Sequence, residues 1–119
     1  MNSSEHLLSF AMPENACNSH LHIIDPSFPN DGKAEAQRGT VEEYKTVATV
    51  LKLPRAVFVQ AKPFGTDNTC LLDAIEKFGP KNAVGIAVVN NSVTDAELER
   101  LNAGGVKGLR FSVWDPKVG

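Results

Sequence analysis

The chain has 119 residues and a net charge of −2, from 12 basic and 14 acidic side chains, and 42% of its residues are apolar. That length fits one ordinary domain. No block of like charge occurs, so a nucleic-acid partner, which needs a basic surface to displace counterions from phosphates, is not expected. No apolar run approaches the roughly 20 residues that span a bilayer, and no membrane partner is expected. Residues 1–15, with Glu5 early and no basic start, do not read as a signal peptide. Cys17 and Cys70 lie in or near apolar segments and read as buried free thiols, which suits a reducing cytoplasm.

In chain order, residues 1–16 are polar and mixed and read as a flexible N-terminal arm. Residues 17–24 read as a first strand, stopped by Asp25-Pro26. Residues 27–39, with Pro29, Asn30-Asp31-Gly32 and Gly39, form a long loop, and long loops often carry function. Thr40-Val41-Glu42-Glu43 is a capping box opening a helix, with Tyr44, Val47, Ala48 and Leu51 on one face and Pro54 beyond its end.

Residues 56–61 (AVFVQA) form a second strand, apolar on both faces except at Gln60, as suits a covered parallel sheet. A second helix spans about residues 68–78 and stops at Gly79-Pro80. Residues 83–89 (AVGIAVV) are a third strand. Thr94-Asp95-Ala96-Glu97 is a second capping box, its helix ending at Gly104-Gly105. Residues 106–113 (VKGLRFSV) are a fourth strand. The β-α-β-α-β-α-β order predicts an α/β fold with a parallel sheet and right-handed crossovers.

Two histidines interrupt the first strand. His20 and His22 stand two residues apart, so strand alternation points both imidazoles to one face while Leu21 and Ile23 point to the other. At the carboxyl end of a first parallel strand this sets two nitrogens at the functional mouth of a barrel. There they can share one divalent cation such as Zn2+, or work metal-free on a carboxylate or lactone oxygen; both stay open. His6, in the arm, is a poor candidate. Gly65-Thr66-Asp67-Asn68 follows the second strand and opens the second helix. Thr66 there either adds a hydroxyl donor for an anion or, with Asp67, serves only as a cap.

Arg110, inside the fourth strand, is costly unless it meets an anion. A substrate carboxylate suits it, and a structural pair with Asp115 is the plainer alternative. Lys62 is a lesser anion contact, Lys107 lies toward the other end of its strand, and Trp114 is read as packing. Asp25 either orients an imidazole or caps a turn. No dinucleotide fingerprint, Walker A loop, C-x-x-C, H-E-x-x-H or G-x-S-x-G is present.

Cys17-Asn18-Ser19-His20-Leu21-His22-Ile23-Ile24-Asp25-Pro26 resembles the opening signature of the amidohydrolase-related (amidohydrolase 2) family, in the branch of pyrone-dicarboxylate and sugar-acid lactone enzymes. Ala56-Val57-Phe58-Val59-Gln60, Gly65-Thr66-Asp67-Asn68, Ala87-Val88-Val89 and Gly105-Val106-Lys107-Gly108-Leu109-Arg110-Phe111-Ser112 extend the likeness over nearly the whole chain. The resemblance implies a (β/α)8 TIM barrel, of which residues 17–119 make the N-terminal half, about four strands and three helices. It implies a hydrolase opening a lactone or cyclic ester of a small carboxylated substrate. His20 and His22 would stand at the metal or substrate site, and Thr66 and Arg110 on the substrate.

A second arginine usual in the family is replaced here by Trp114-Asp115-Pro116-Lys117, which weakens assignment to the pyrone dicarboxylate itself. The family's later histidine and catalytic aspartate have no counterpart. The expectation is a truncated piece, without turnover and prone to self-association through open edges. A decarboxylase or lactone isomerase of the same group, and a small non-catalytic α/β binding domain, are the competing readings.

Overall fold

The computed structural model describes residues 11–111. His6, Trp114, Asp115, most of the arm and the end of the expected fourth strand lie outside the described residues. Four strands alternate with three α-helices: β1 (Cys17–Leu21), α1 (Val41–Leu51), β2 (Arg55–Val59), α2 (Thr69–Phe78), β3 (Ala83–Val88), α3 (Asp95–Ala103) and β4 (Val106–Arg110). The strands pair in parallel in the order β1-β2-β3-β4.

That order matters for the architecture. When each crossover runs to the next strand with the same hand, every helix lands on the same side of the sheet. A doubly wound sheet instead reverses direction and covers both faces. Here Ala56, Phe58, Ala83, Gly85, Ala87 and Val106 face the helices and are buried, whereas Val57, Val84, Ile86 and Val88 on the other face are only partly buried. One covered face and one open face, with sequential strands, is the construction of a (β/α)8 barrel wall. The chain folds as a (βα)4-like segment of that barrel.

The helices form where the sequence signals them. Thr40 accepts from Glu43 N–H and Glu43 reaches back to Thr40 N–H, so the first capping box is complete. Thr94 accepts from Glu97 N–H at 3.1 Å, but the Glu97 carboxylate turns to Arg100, so the second box is half made. The buried stripe of α1 is Val41 and Ala48, with Tyr44 and Leu51 partly covered. Val47, expected on that stripe, falls at its margin and is 48% exposed. The helix ends before Pro54, because Lys52 adopts a left-handed conformation (φ 58°) and turns its N–H back onto Ala48 and Thr49.

Tyr44, Phe58 and Phe78 join α1, β2 and α2 in an aromatic cluster with ring centroids 5.5–6.1 Å apart. Asn18 on β1 donates to the Tyr44 hydroxyl at 3.2 Å. Helix α2 presses directly on β3 at Gly85, where an added Cβ would stand 2.8 Å from Ile75 Cδ1.

All four strands end earlier than the sequence suggested, β1 and β4 most. The β1–β2 register shifts between Asn18 and Leu21, and β1 stops at Leu21; Ile24 then bridges antiparallel to Gly39. Strand β4 stops at Arg110, so that residue is terminal and exposed rather than set in a strand interior. Its burial cost does not arise. Both cysteines are free thiols, but only Cys70 is buried; Cys17, the first residue of an outer strand, is exposed, which corrects the expectation of two buried thiols.

Candidate functional site

In a parallel sheet of this kind the strand-to-helix loops gather at the carboxyl ends of the strands, and that end is the functional mouth. Residues 22–40 form the first such loop, residues 60–68 the second and residues 89–94 the third. The first two are tied together, since Asp31 N–H donates to Pro63 O at 2.9 Å.

His20 lies on β1 and His22 one residue beyond it. Their ring centroids are 5.2 Å apart, edge to face, so the two imidazoles do converge on one side of the sheet. His22 Nδ1 lies 2.8 Å from Val59 O. A carbonyl oxygen only accepts, so Nδ1 carries the proton. In the neutral ring this leaves Nε2 as the lone-pair nitrogen, and the bond from β1's end to β2's end fixes the ring. His20 is held through its backbone, donating N–H to Asn18 Oδ1 at 3.3 Å.

Register carries the face across the sheet. Leu21 pairs with Phe58, Phe58 with Gly85, and Ala87 with Leu109, all on the helix side; Val88 pairs with Arg110 on the other. Alternation therefore sets Arg110 on the histidine face, at the same end of the sheet. Three strand spacings separate β4 from β1, about 14 Å along a flat sheet, which curling into a barrel wall shortens. Arg110 is absent from the ion pairs among the described residues, and Asp115, its suggested partner, lies outside them.

Thr66 stands exposed in the β2–α2 loop at the mouth. It does not cap α2. The N-cap is Asn68, whose side chain makes no cap bond; Asp67, one residue before it, accepts from Thr69 N–H at 3.1 Å. Asp25 serves its turn rather than an imidazole: its carboxylate accepts from both the N–H and the hydroxyl of Ser27, which hold it below its usual range. Lys107 reaches Asn102 on α3, away from the mouth.

Two residues of this end went unassigned in the sequence. Gln60 and Asn68 are polar side chains 3% and 1% exposed. Gln60 Nε2 donates to Gly65 O (3.1 Å) and Asp67 O (2.8 Å). Asn68 Nδ2 donates to Thr66 O (3.1 Å) and Val88 O (2.9 Å), and Asn68 Oδ1 accepts from Val88 N–H at 3.1 Å. The available signal was Gln60 itself, the one polar residue in an apolar strand.

A catalytic zinc takes three protein ligands and keeps a further position open. The histidine pair supplies two, and among the described residues no group of three or more His, Cys, Asp or Glu side chains is placed to hold a metal. A cavity of about 620 Å3 lies at the opposite end of the sheet, between Pro13, Lys52, Leu53, Pro54 and Asn82.

The fold and the one-sided mouth define the class: a segment of a (β/α)8 barrel with a histidine pair where its first strand ends. The known proteins it is similar to are narrower. It is 34% identical over 107 residues to a 2-pyrone-4,6-dicarboxylate hydrolase of Comamonas testosteroni, covering 87% of this chain and 35% of that protein. It is 32% identical over 116 residues to a 4-sulfomuconolactone hydrolase of Rhizobium radiobacter, covering 94% of this chain and 38% of that one. Among solved structures it matches a probable 2-pyrone-4,6-dicarboxylic acid hydrolase of Acinetobacter baumannii with citric acid bound, at TM-score 0.70 and 25% identity over 87% of this chain and 42% of that chain. No family model matches. These relatives are hydrolases by name, and the chain spans little more than a third of the length of the curated relatives it matches.

Proposed function

We propose that this chain supplies the first part of the active site of a lactone hydrolase acting on a small carboxylated ring. The observation that carries the reading is the pinned imidazole pair: His22 locked by Val59 O, with His20 5.2 Å away and Arg110 on the same face. The relatives are named for a pyrone dicarboxylate and a sulfomuconolactone, and the Acinetobacter structure holds citric acid; each of these molecules carries anionic groups.

The division of labour follows from the side chains. Arg110 offers a planar fork to a carboxylate, and the Thr66 hydroxyl donates one further hydrogen bond. The imidazoles face the ring carbonyl. Water adds to the carbonyl carbon, negative charge gathers on its oxygen, and a positioned donor there lowers the barrier by about 2.7–4 kcal/mol. The ring C–O bond then breaks, and its oxygen leaves with a proton, giving the open hydroxy acid. No general base is assigned among the described residues. A divalent cation at His20 and His22 would polarise that carbonyl as a Lewis acid; His22 Nε2 is the nitrogen free to hold it.

Titration of the 15N-labelled chain with 2-pyrone-4,6-dicarboxylate tests the reading. Shifts are expected at His20, His22, Thr66 and Arg110. Arg110→Ala should weaken binding by roughly tenfold to a hundredfold, as removal of a hydrogen bond to a charged group does. No shift at these residues at millimolar ligand overturns the proposal. Zn2+ titration followed at the imidazole nitrogens distinguishes a cation site, lost in His20→Ala, from a metal-free one.

A further inference from the structure

Gly65, Thr66 and Asp67 have their three successive carbonyl oxygens each bonded by a side-chain amide from Gln60 or Asn68. Both amides are almost completely buried. Such groups cost free energy unless every donor and acceptor is met, and no buried side-chain nitrogen or oxygen among the described residues lacks a partner. Asn68 does more than fill a gap. Its amide pairs with both the N–H and the C=O of Val88, as a neighbouring strand residue would, and so ties the loop to the last residue of β3. It occupies the N-cap position of α2, yet its side chain makes no cap bond there. The side chain is therefore committed to the loop.

We propose that Asn68, with Gln60, is a positioning residue. It turns the three loop carbonyls inward onto the sheet end and thereby holds exposed Thr66 at the mouth, in register with Val88 and its neighbour Arg110. It acts through Thr66 and touches no substrate. The proposal rests on the reading of Thr66 as a substrate contact.

Asn68→Asp keeps the size of the side chain and removes the donors to Thr66 O and Val88 O. Gln60→Met does the same for Gly65 O and Asp67 O and brings no charge, so it stands in if the aspartate disrupts folding. Amide hydrogen exchange is read in the whole chain. At Asp67, whose N–H bonds to Phe64 O within the loop, the variants should exchange about tenfold or more faster as the loop loses its hold, while Val88 N–H keeps an acceptor oxygen in both. Phe58 and Ile75 should keep their protection. Uniform acceleration along the chain would mean a role in global stability alone, and unchanged exchange at Asp67 would mean no clamp; either overturns the proposal.

The second readout is a double-mutant cycle with 2-pyrone-4,6-dicarboxylate. Asn68→Asp should weaken binding about fivefold in the Thr66 background and have little effect with Thr66→Ala, since coupled residues deviate from additivity. Equal losses in both backgrounds overturn the action through Thr66. If the unmodified chain binds no ligand while loop exchange responds locally, the substrate reading has failed and the clamp stands.

Discussion

A single backbone oxygen decides which nitrogen His22 offers. Val59 O can only accept, so the ring presents Nε2 to the open face whichever way substrate or cation is bound. Among the described residues the His20 ring has no such tether. Residue-scale burial also separates the thiols. Cys70, packed beneath Ile23 and 2% exposed, is pushed up to about 11 by desolvation, while Cys17 is open to solvent. In the native chain at pH 8, an alkylating reagent is expected to modify Cys17 and leave Cys70, checked by peptide mass mapping. The raised value also has a stability consequence. The unfolded thiol ionises first, so the unfolded state binds fewer protons between its ordinary value near 9 and about 11. Stability should be level below pH 9 and fall as pH rises toward 11, by on the order of 2 kcal/mol. Cys70→Ala should flatten that part of a urea-unfolding pH series.

At the scale of the element, the helix ends show which local signals were sufficient. The box at Thr40 is complete because Glu43 has no stronger claim on it; that at Thr94 is half made because Arg100, three residues on, takes Glu97. Thr40→Ala should therefore cost about 1 kcal/mol or more, within the usual capping range, and more than Thr94→Ala, read as the drop in thermal midpoint. At the other end of α1, Lys52 holds φ at 58°, a conformation that costs a side-chain-bearing residue roughly 1 kcal/mol and glycine almost nothing. Lys52→Gly is expected to raise the midpoint. Helix α2 sits close on β3 because Gly85 has no side chain. Gly85→Val would drive methyls into Ile75 and Leu71 and should cost about 1–3 kcal/mol in denaturant unfolding.

For the molecule as a whole, the helices cover one face of the sheet and leave the other to something else. On that face Val57, Val84, Ile86 and Val88 stay partly open; Leu109, on the helix side at the end of β4, and Phe111 are 44% and 51% exposed, and in the described sheet β1 and β4 each have one unpaired side. Unpaired edges and exposed apolar residues pair with whatever they meet. The chain by itself is expected to self-associate with rising concentration in sedimentation, and Leu109→Lys with Phe111→Lys to lower that association. A concentration-independent monomer would contradict this.

Much of this was readable along the chain. Apolar period, proline and glycine stops and capping boxes gave every described strand and α-helix to within a few residues, because these are local effects of backbone and side chain, but not the short 3-10 turns at Glu35–Gln37 and Lys62–Phe64. Strand alternation gave the shared direction of His20 and His22 for the same reason. The misses were non-local. Where β1 stops depends on its register with β2; whether Cys17, Val47 and Arg110 are covered depends on which neighbours arrive; and the partners of Asn68 come from a strand 20 residues away. The histidine pair's spacing was thus a property of the sequence. The locking of His22 onto Val59, the amide clamp beneath Thr66 and the common face with Arg110 were decided by the tertiary structure, since each needs strands distant in sequence to be brought to hydrogen-bonding distance.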